Sequence, residues 1–474
     1  MSKFSEQCKK LLTENGMNVY RLSKDFSLEC TTLQRMVTGK RLPNIDFVKK
    51  FCDVLRIPFT EKQNLLELYR IEQIGETVYN NRKSIKTLLD NLALNEKSLS
   101  KEILTFPDSN YYHNQSIISY SYKIERLIQS ILQQAFIKNQ NSFIYTNFPA
   151  YTFSFFHQLR LLNAEFKNSN VIIKHLINFK IDANDTIFNL NILNNVLPFT
   201  LSNQLNYQSL FCYSRLNVFD FLQIIFPYFI ITDDEVLLLS SSMQNAVQLS
   251  DADIVMQYRL EFEKMAAHCN PLIHCTNQLD EAWKEYSQLH TSTHKHFYTI
   301  EPSICCTKIM NIEDFDSLLD QQLDEFNVDV VQIIQYQKTL KSTSFFSKQG
   351  IQMFCETGKL TGQMGALLPA MNIEQRKAYL EKFLKQDVQC YMLHDTFRLN
   401  FNLNLEVCGR DRINIIYFDP ENIFNIRFVS IDESSICNAF YDFTESLVGS
   451  DSIFTKEETK DEISKILKEK FPEE

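Results

Sequence analysis

The chain has 474 residues, 44% hydrophobic and 22% charged. It is too long for one hydrophobic core and too apolar for a disordered chain, so several folded units are expected. Net charge is −10, yet residues 1–70 hold 13 Lys+Arg against 8 Asp+Glu, so the acidic average argues against nucleic acid for the body and not for the basic N-terminal end.

With 9 glycines against 38 phenylalanines and 20 tyrosines, the composition favours aromatic cores over glycine loops that cradle phosphates. Twelve cysteines with no C-x-x-C pair, and no apolar leader, imply reduced thiols in a cytoplasmic protein. The most apolar stretch, residues 219–231, is broken by Asp220, Gln223 and Pro227 and is too short to span a bilayer, so no membrane partner is expected.

In chain order, helical spacing of Phe4, Cys8, Leu11 and Leu12 predicts a helix over 4–14, stopped by Asn15 and Gly16. Asn18 caps a second helix over 18–26. A third over 30–38 carries Leu33, Met36 and Val37 on one side and Thr31, Thr32, Gln34 and Arg35 on the other, and Gly39 ends it. Further helices are predicted over 45–55 and 60–69, then a charged helical connection over 71–104 and a break at 106–110. Beyond it, predicted strands at 142–148, 171–179, 229–231 and 236–240 alternate with helices at 117–137, 151–165 and 251–269, a pattern for a mostly parallel sheet covered by helices.

A polar helix over 280–296 links two lobes in this reading. After it come helices at 313–326 and 373–385, strands at 398–407, 412–418 and 425–430, and closing helices at 434–447 and 455–471. The expected fold class is multidomain: an all-α N-terminal helix-turn-helix bundle, residues 1–70, and a helical linker, 71–110. An α/β domain for sensing or dimerisation, 111–300, precedes a second α/β or α+β lobe with C-terminal helices, 301–474. No fixed-period repeat is visible.

The segment LSKDFSLECTTLQRMVTGKRLP, residues 22–43, resembles the Xre/Cro/C1 family of phage-repressor-like helix-turn-helix regulators, with Leu22, Leu28, Leu33, Arg35, Met36, Gly39, Lys40 and Pro43 in register. The resemblance covers the N-terminal end only. It implies a third helix in the major groove, with Cys30, Thr31, Thr32 and Arg35 nearest the base edges and Arg35 able to bridge guanine O6 and N7. Lys40 and Arg41 would bind phosphates, with Thr38 close by, and the start of the second helix at Asn18 and Val19 would offer N–H groups to another phosphate. A homodimer on double-stranded DNA follows, since one such unit touches too few base pairs. Three positions depart from the family pattern: Ser27 stands for the usual turn glycine, Ser23 for a small alanine, and Val37 for a frequent acidic residue. Ser27 must then adopt an unusual backbone angle or shift the turn.

Elsewhere, His268-Cys269 and His274-Cys275 with His290, His294 and His296 match no known metal-ligand frame, and Cys305-Cys306 reads as buried sulfur. The stretch at 358–362 lacks the glycine spacing of a phosphate loop and is expected to be a loop. The middle α/β region resembles phospholipase D-like sensor domains of some bacterial regulators, but none of the nine histidines has Lys two residues on. The expectation is therefore a regulator that is not an enzyme, needs no cofactor or metal, and responds to an unknown small-molecule or peptide effector. The competing classes are a DNA-targeted enzyme or phage-defence effector, and a protein-interaction scaffold.

Overall fold

The structure is a computed structural model. It describes residues 1–94, 117–119, 121–138, 142–150, 152–166, 170–181, 186–201, 205–213, 225–278, 281–282, 284–285, 296–311, 313–314, 335, 338–362, 365, 368–418 and 426–472. The chain divides into two compact units, Met1–Lys83 and Ser84–Glu474.

The first unit is all-helical: α1 (Lys3–Glu14), α2 (Val19–Phe26), α3 (Cys30–Val37), α4 (Ile45–Val54) and α5 (Phe59–Ile74). Asn18 and Asn44 cap α2 and α4, their Oδ1 atoms accepting from the N–H of Arg21 and Phe47 at 2.8 Å, as the sequence leads one to expect of asparagine before an apolar period. Phe4, Cys8, Leu11, Leu22, Leu33, Met36, Phe51 and Leu65 close one core. Tyr69 stacks edge-on to Phe4 and donates its hydroxyl to the Pro43 carbonyl at 2.8 Å, tying α5 to the turn before α4. The fifth helix runs past its predicted end to Gly75, at φ +89°, and α6 (Glu76–Leu94) begins there. The predicted break at 106–110 lies outside the described residues.

The second unit holds two mixed sheets. In the first are β1 (Ile117–Ser119), β2 (Ser142–Thr146), β3 (Val171–Phe179), β4 (Asn206–Tyr213), β5 (Tyr228–Ile231), β6 (Val236–Leu239), β7 (Asn245–Leu249) and β8 (Asn270–Pro271). With it go α7 (Ser121–Ile137), α8 (Phe153–Glu165), α9 (Thr186–Thr200) and α10 (Ala252–Ala266). The second sheet takes β9 (His274–Thr276), β10 (Phe297–Glu301), β11 (Ser342–Ser347), β12 (Cys390–Leu393), β13 (Leu403–Cys408), β14 (Arg412–Phe418) and β15 (Ile426–Ile431). Its helices are α11 (Cys306–Ile309), α12 (Lys348–Thr357), α13 (Ile373–Lys385), α14 (Ser434–Leu447) and α15 (Lys456–Lys470).

The strand orders are β1-β7-β6-β5-β2-β3-β4-β8 and β12-β11-β10-β13-β14-β15-β9. Reversed, the second reads β9-β15-β14-β13-β10-β11-β12, the same arrangement as β1 through β4 in the first. Directions match too: β2, β3 and β4 are parallel, as are β10, β11 and β12, and the remaining pairs are antiparallel. One topology is laid down twice. The sequence hides this because the intervals differ: β2 and β3 begin at Ser142 and Val171, their counterparts at Phe297 and Ser342. The expected mostly parallel sheet is corrected accordingly, since each repeat joins a parallel half to an antiparallel meander. Leu272 and Ile273 carry the chain from β8 into β9, from one sheet to the other. Most of the predicted segments at 280–296 and 313–326 lie outside the described residues. No described helix is long and apolar enough to cross a membrane.

Candidate nucleic-acid interface

The turn between α2 and α3 is built on Ser27, which takes the left-handed conformation, φ 56° and ψ 36°. Serine thus adopts the angle that glycine would take without steric cost, and the turn keeps its shape. Leu22, Leu28 and Leu33 are buried on the inner side of the turn and hold α2 against α3. At the other end of α3, the N–H of Lys40 reaches the Arg35 carbonyl at 2.9 Å and that of Gly39 the Met36 carbonyl at 3.1 Å. This Schellman closure requires the left-handed Gly39, φ +72°. A Cβ there would also press on Ser5 Oγ at 3.0 Å.

With Leu33, Met36 and Val37 turned inward, the outer face of α3 is set by the helical period. Cys30, Thr31, Gln34 and Arg35 are exposed, Thr32 is half-buried, and Thr38, Lys40 and Arg41 are exposed beyond the helix end. Among the described residues none of Arg21, Lys24, Arg35, Lys40 and Arg41 forms an ion pair, whereas Lys3, Lys10 and Lys62 do. Thr38 donates its hydroxyl to the Gln34 carbonyl at 2.7 Å. On α2 the Asn18 cap occupies the Arg21 N–H, and the first intrahelical bond is Leu22 N–H to Asn18 carbonyl at 3.0 Å. The Val19 and Tyr20 N–H groups precede it, which is the geometry of an anion-binding helix start.

Glu29, which sequence reasoning passed over, stands at the N-cap of α3 with an exposed carboxylate, and Thr32 donates its hydroxyl to Glu29 Oε2 at 2.6 Å. A carboxylate there repels phosphate and can accept from a base-edge amino group. The Glu29 side chain makes no capping hydrogen bond to the start of α3, so no cap signal in the sequence marks it.

The body contains buried polar groups of another kind. His175 is held by Tyr207 Oη at 2.7 Å and the Phe148 carbonyl at 2.6 Å, and burial pushes its pKa down to about 4. Burial pushes Glu301 up to about 7, against the Thr299 hydroxyl at 3.0 Å. It lines a cavity of about 20 Å3 with Cys305, Asn404 and Glu406, room for about one water. Among the described residues no group of three or more His, Cys, Asp or Glu is arranged to hold a metal ion; His290 and His294 are not among them. All twelve cysteines are unpaired. Residues 358–362 form a loop, Gly358 closing α12 at φ +74°.

No family model matches the chain, and no curated protein does. Solved structures similar to it include TrmBL2, an archaeal chromatin protein with a novel mode of DNA binding, at 11% identity and TM-score 0.22, covering 57% of this chain and 94% of that one. Phosphatidylserine synthase from Haemophilus influenzae Rd KW20 matches at 9% identity and TM-score 0.23, over 82% of this chain and 97% of that one. Yeast tyrosyl-DNA phosphodiesterase matches at 11% identity and TM-score 0.20, over 65% and 87%. Two of these three are enzymes, and the expectation of a chain that is not an enzyme is withdrawn, because it rested only on motifs missing from the sequence. At these TM-scores no activity passes from the neighbours to this chain.

Proposed function

We propose that the N-terminal unit binds double-stranded DNA sequence-specifically, as an Xre/Cro-type helix-turn-helix domain, and that the chain is a homodimeric, cytoplasmic transcription regulator. The observation that carries the reading is the face of α3: Cys30, Thr31 and Arg35 exposed over a buried Leu33, Met36 and Val37, followed by the exposed cations Lys40 and Arg41, which form no ion pair among the described residues. Packing alone calls for none of these outer residues. Cys30, Thr31, Thr32 and Arg35 read base edges in the major groove, Arg35 through its two-pronged donor set. Thr38, Lys40 and Arg41 meet the backbone past α3, and the N–H groups near Asn18 and Val19 meet it at α2. Division into residues 1–70, a linker over 71–110, and lobes over 111–300 and 301–474 goes with this reading. The body supplies dimerisation and reception of a small-molecule or peptide signal.

Selection of binding sites from random duplexes with the full chain tests this. The expected product is a motif of two half-sites separated by about one helical turn or a multiple. A pool that stays random after repeated rounds, while the protein remains folded, would remove the proposal.

A further inference from the structure

At the seam between the two sheets lies a cavity of about 870 Å3, within the range of sites for small molecules. Its walls come from β3 and β4 of the first repeat and from β8, β9 and β15, so it straddles the point where the chain crosses between sheets. Polar groups line it: the exposed amides Asn206 and Gln208 on β4, His274 and Cys275 on β9, and Arg427 on β15. Ser209, also in the wall, has a buried hydroxyl with no hydrogen-bond partner. None of the described lining residues is acidic, although the chain carries 58 Asp+Glu against 48 Lys+Arg.

Arg427 is fixed where it stands. Its Nη1 donates to the Thr200 carbonyl at 2.7 Å and lies 3.9 Å from Cys275 Sγ. Burial pushes the Cys275 thiol up in pKa, the neighbouring Arg427 guanidinium opposes that shift, and the nearby Glu285 carboxylate adds to it. A guanidinium is a planar fork matched to carboxylate and phosphate oxygens, and in a cavity whose described lining residues include no acid it favours an anion over a neutral or cationic guest.

We infer that this cavity binds a small anionic metabolite, whose carboxylate or phosphate pairs with Arg427 and whose polar remainder meets Asn206 and Gln208. Arg427 belongs to the second repeat and the two amides to the first, so the ligand ties the repeats together and favours whichever arrangement brings both walls to it. The site stands whether or not the N-terminal unit binds DNA.

Cys275, exposed and in the wall, reports occupancy, and the exposed Cys30 serves as a control in the same chain. The full chain is alkylated in citrate, in inorganic phosphate, and in chloride at matched ionic strength, and each cysteine is followed by peptide mass spectrometry. Citrate or phosphate should slow Cys275 relative to chloride, by about ten-fold near saturation, with Cys30 unaffected; which of the two protects distinguishes a carboxylate from a phosphate site. Arg427→Gln should abolish the protection. Equal Cys275 rates in all three salts, or protection kept in Arg427→Gln, overturns the inference. If that variant unfolds, the buried Cys437 becomes reactive, and Arg427→Lys decides instead: it should weaken protection, and unchanged protection contradicts the role of the fork.

Discussion

Arg35→Ala separates base reading from general DNA attraction. The side chain is exposed and has no ion pair or hydrogen bond among the described residues, so its loss should change folding stability by less than about 0.5 kcal/mol. A bidentate contact to one guanine contributes about 1–3 kcal/mol, so affinity for the best site should fall roughly 5- to 150-fold, and sites already lacking that base pair should lose little. Lys40→Ala, which removes a phosphate contact, should weaken every duplex alike and lower the salt slope by about one. Fluorescence anisotropy with the selected site and single-base variants, over about 50–200 mM salt, gives both quantities. Equal loss for Arg35→Ala on every sequence would mean that α3 presents another face to the duplex.

Three further outcomes are expected from the packing and the titrating groups. Ser27→Gly relieves a left-handed angle and should stabilise the N-terminal unit by about 0.5–1 kcal/mol in urea unfolding; a loss of stability would show that the serine side chain supports the turn. Leu33→Ala empties a fully buried site between α2 and α3 and should cost about 2–5 kcal/mol, read as early melting of that unit, whereas a surface-like change below about 0.5 kcal/mol would contradict the packing. Glu301 has a folded pKa raised to about 7, so the folded state holds its proton longer than the unfolded one, and its stabilising contribution is lost as pH rises from about 4.5 through 7, by about 3 kcal/mol. Glu301→Gln should remove that slope. His175 runs the other way, losing stability as pH falls from 6.5 towards 4, so the measurement is the difference between variant and parent, and identical pH profiles would refute the assignment.

The N-terminal unit was legible because its signals are local: Asn18 and Asn44 sit where helices start, Gly39 where one must stop, and the apolar period of Leu33, Met36 and Val37 fixes which side of α3 is left outside. In the body, β3 and β14 could be read from runs of Val and Ile, and α13 and α14 from their period. Strands β10 and β11 could not, because each buries more than one polar residue: Thr299 and Glu301 in β10, and Thr343, Ser344 and Ser347 in β11. Register places Ser344, Thr299, Glu406, Asn414 and Ser430 side by side across five neighbouring strands, all of them buried. A sheet face carrying a buried polar row breaks the alternation by which strands are recognised. The second repeat and the Arg427 cavity were hidden for a related reason, since both depend on pairings between segments far apart in sequence. Ser27 went the opposite way: its departure from the glycine that the resemblance implies was visible, and the serine takes the left-handed angle itself.

Alkylation of Cys30 with the full chain bound to its selected duplex tests the central claim most directly. Cys30 opens α3 with an exposed thiol, so a helix seated in the groove should shield it by an order of magnitude or more, while Cys275 continues to react as in the free protein. A saturated complex in which Cys30 reacts as fast as without DNA would place the duplex elsewhere on the molecule.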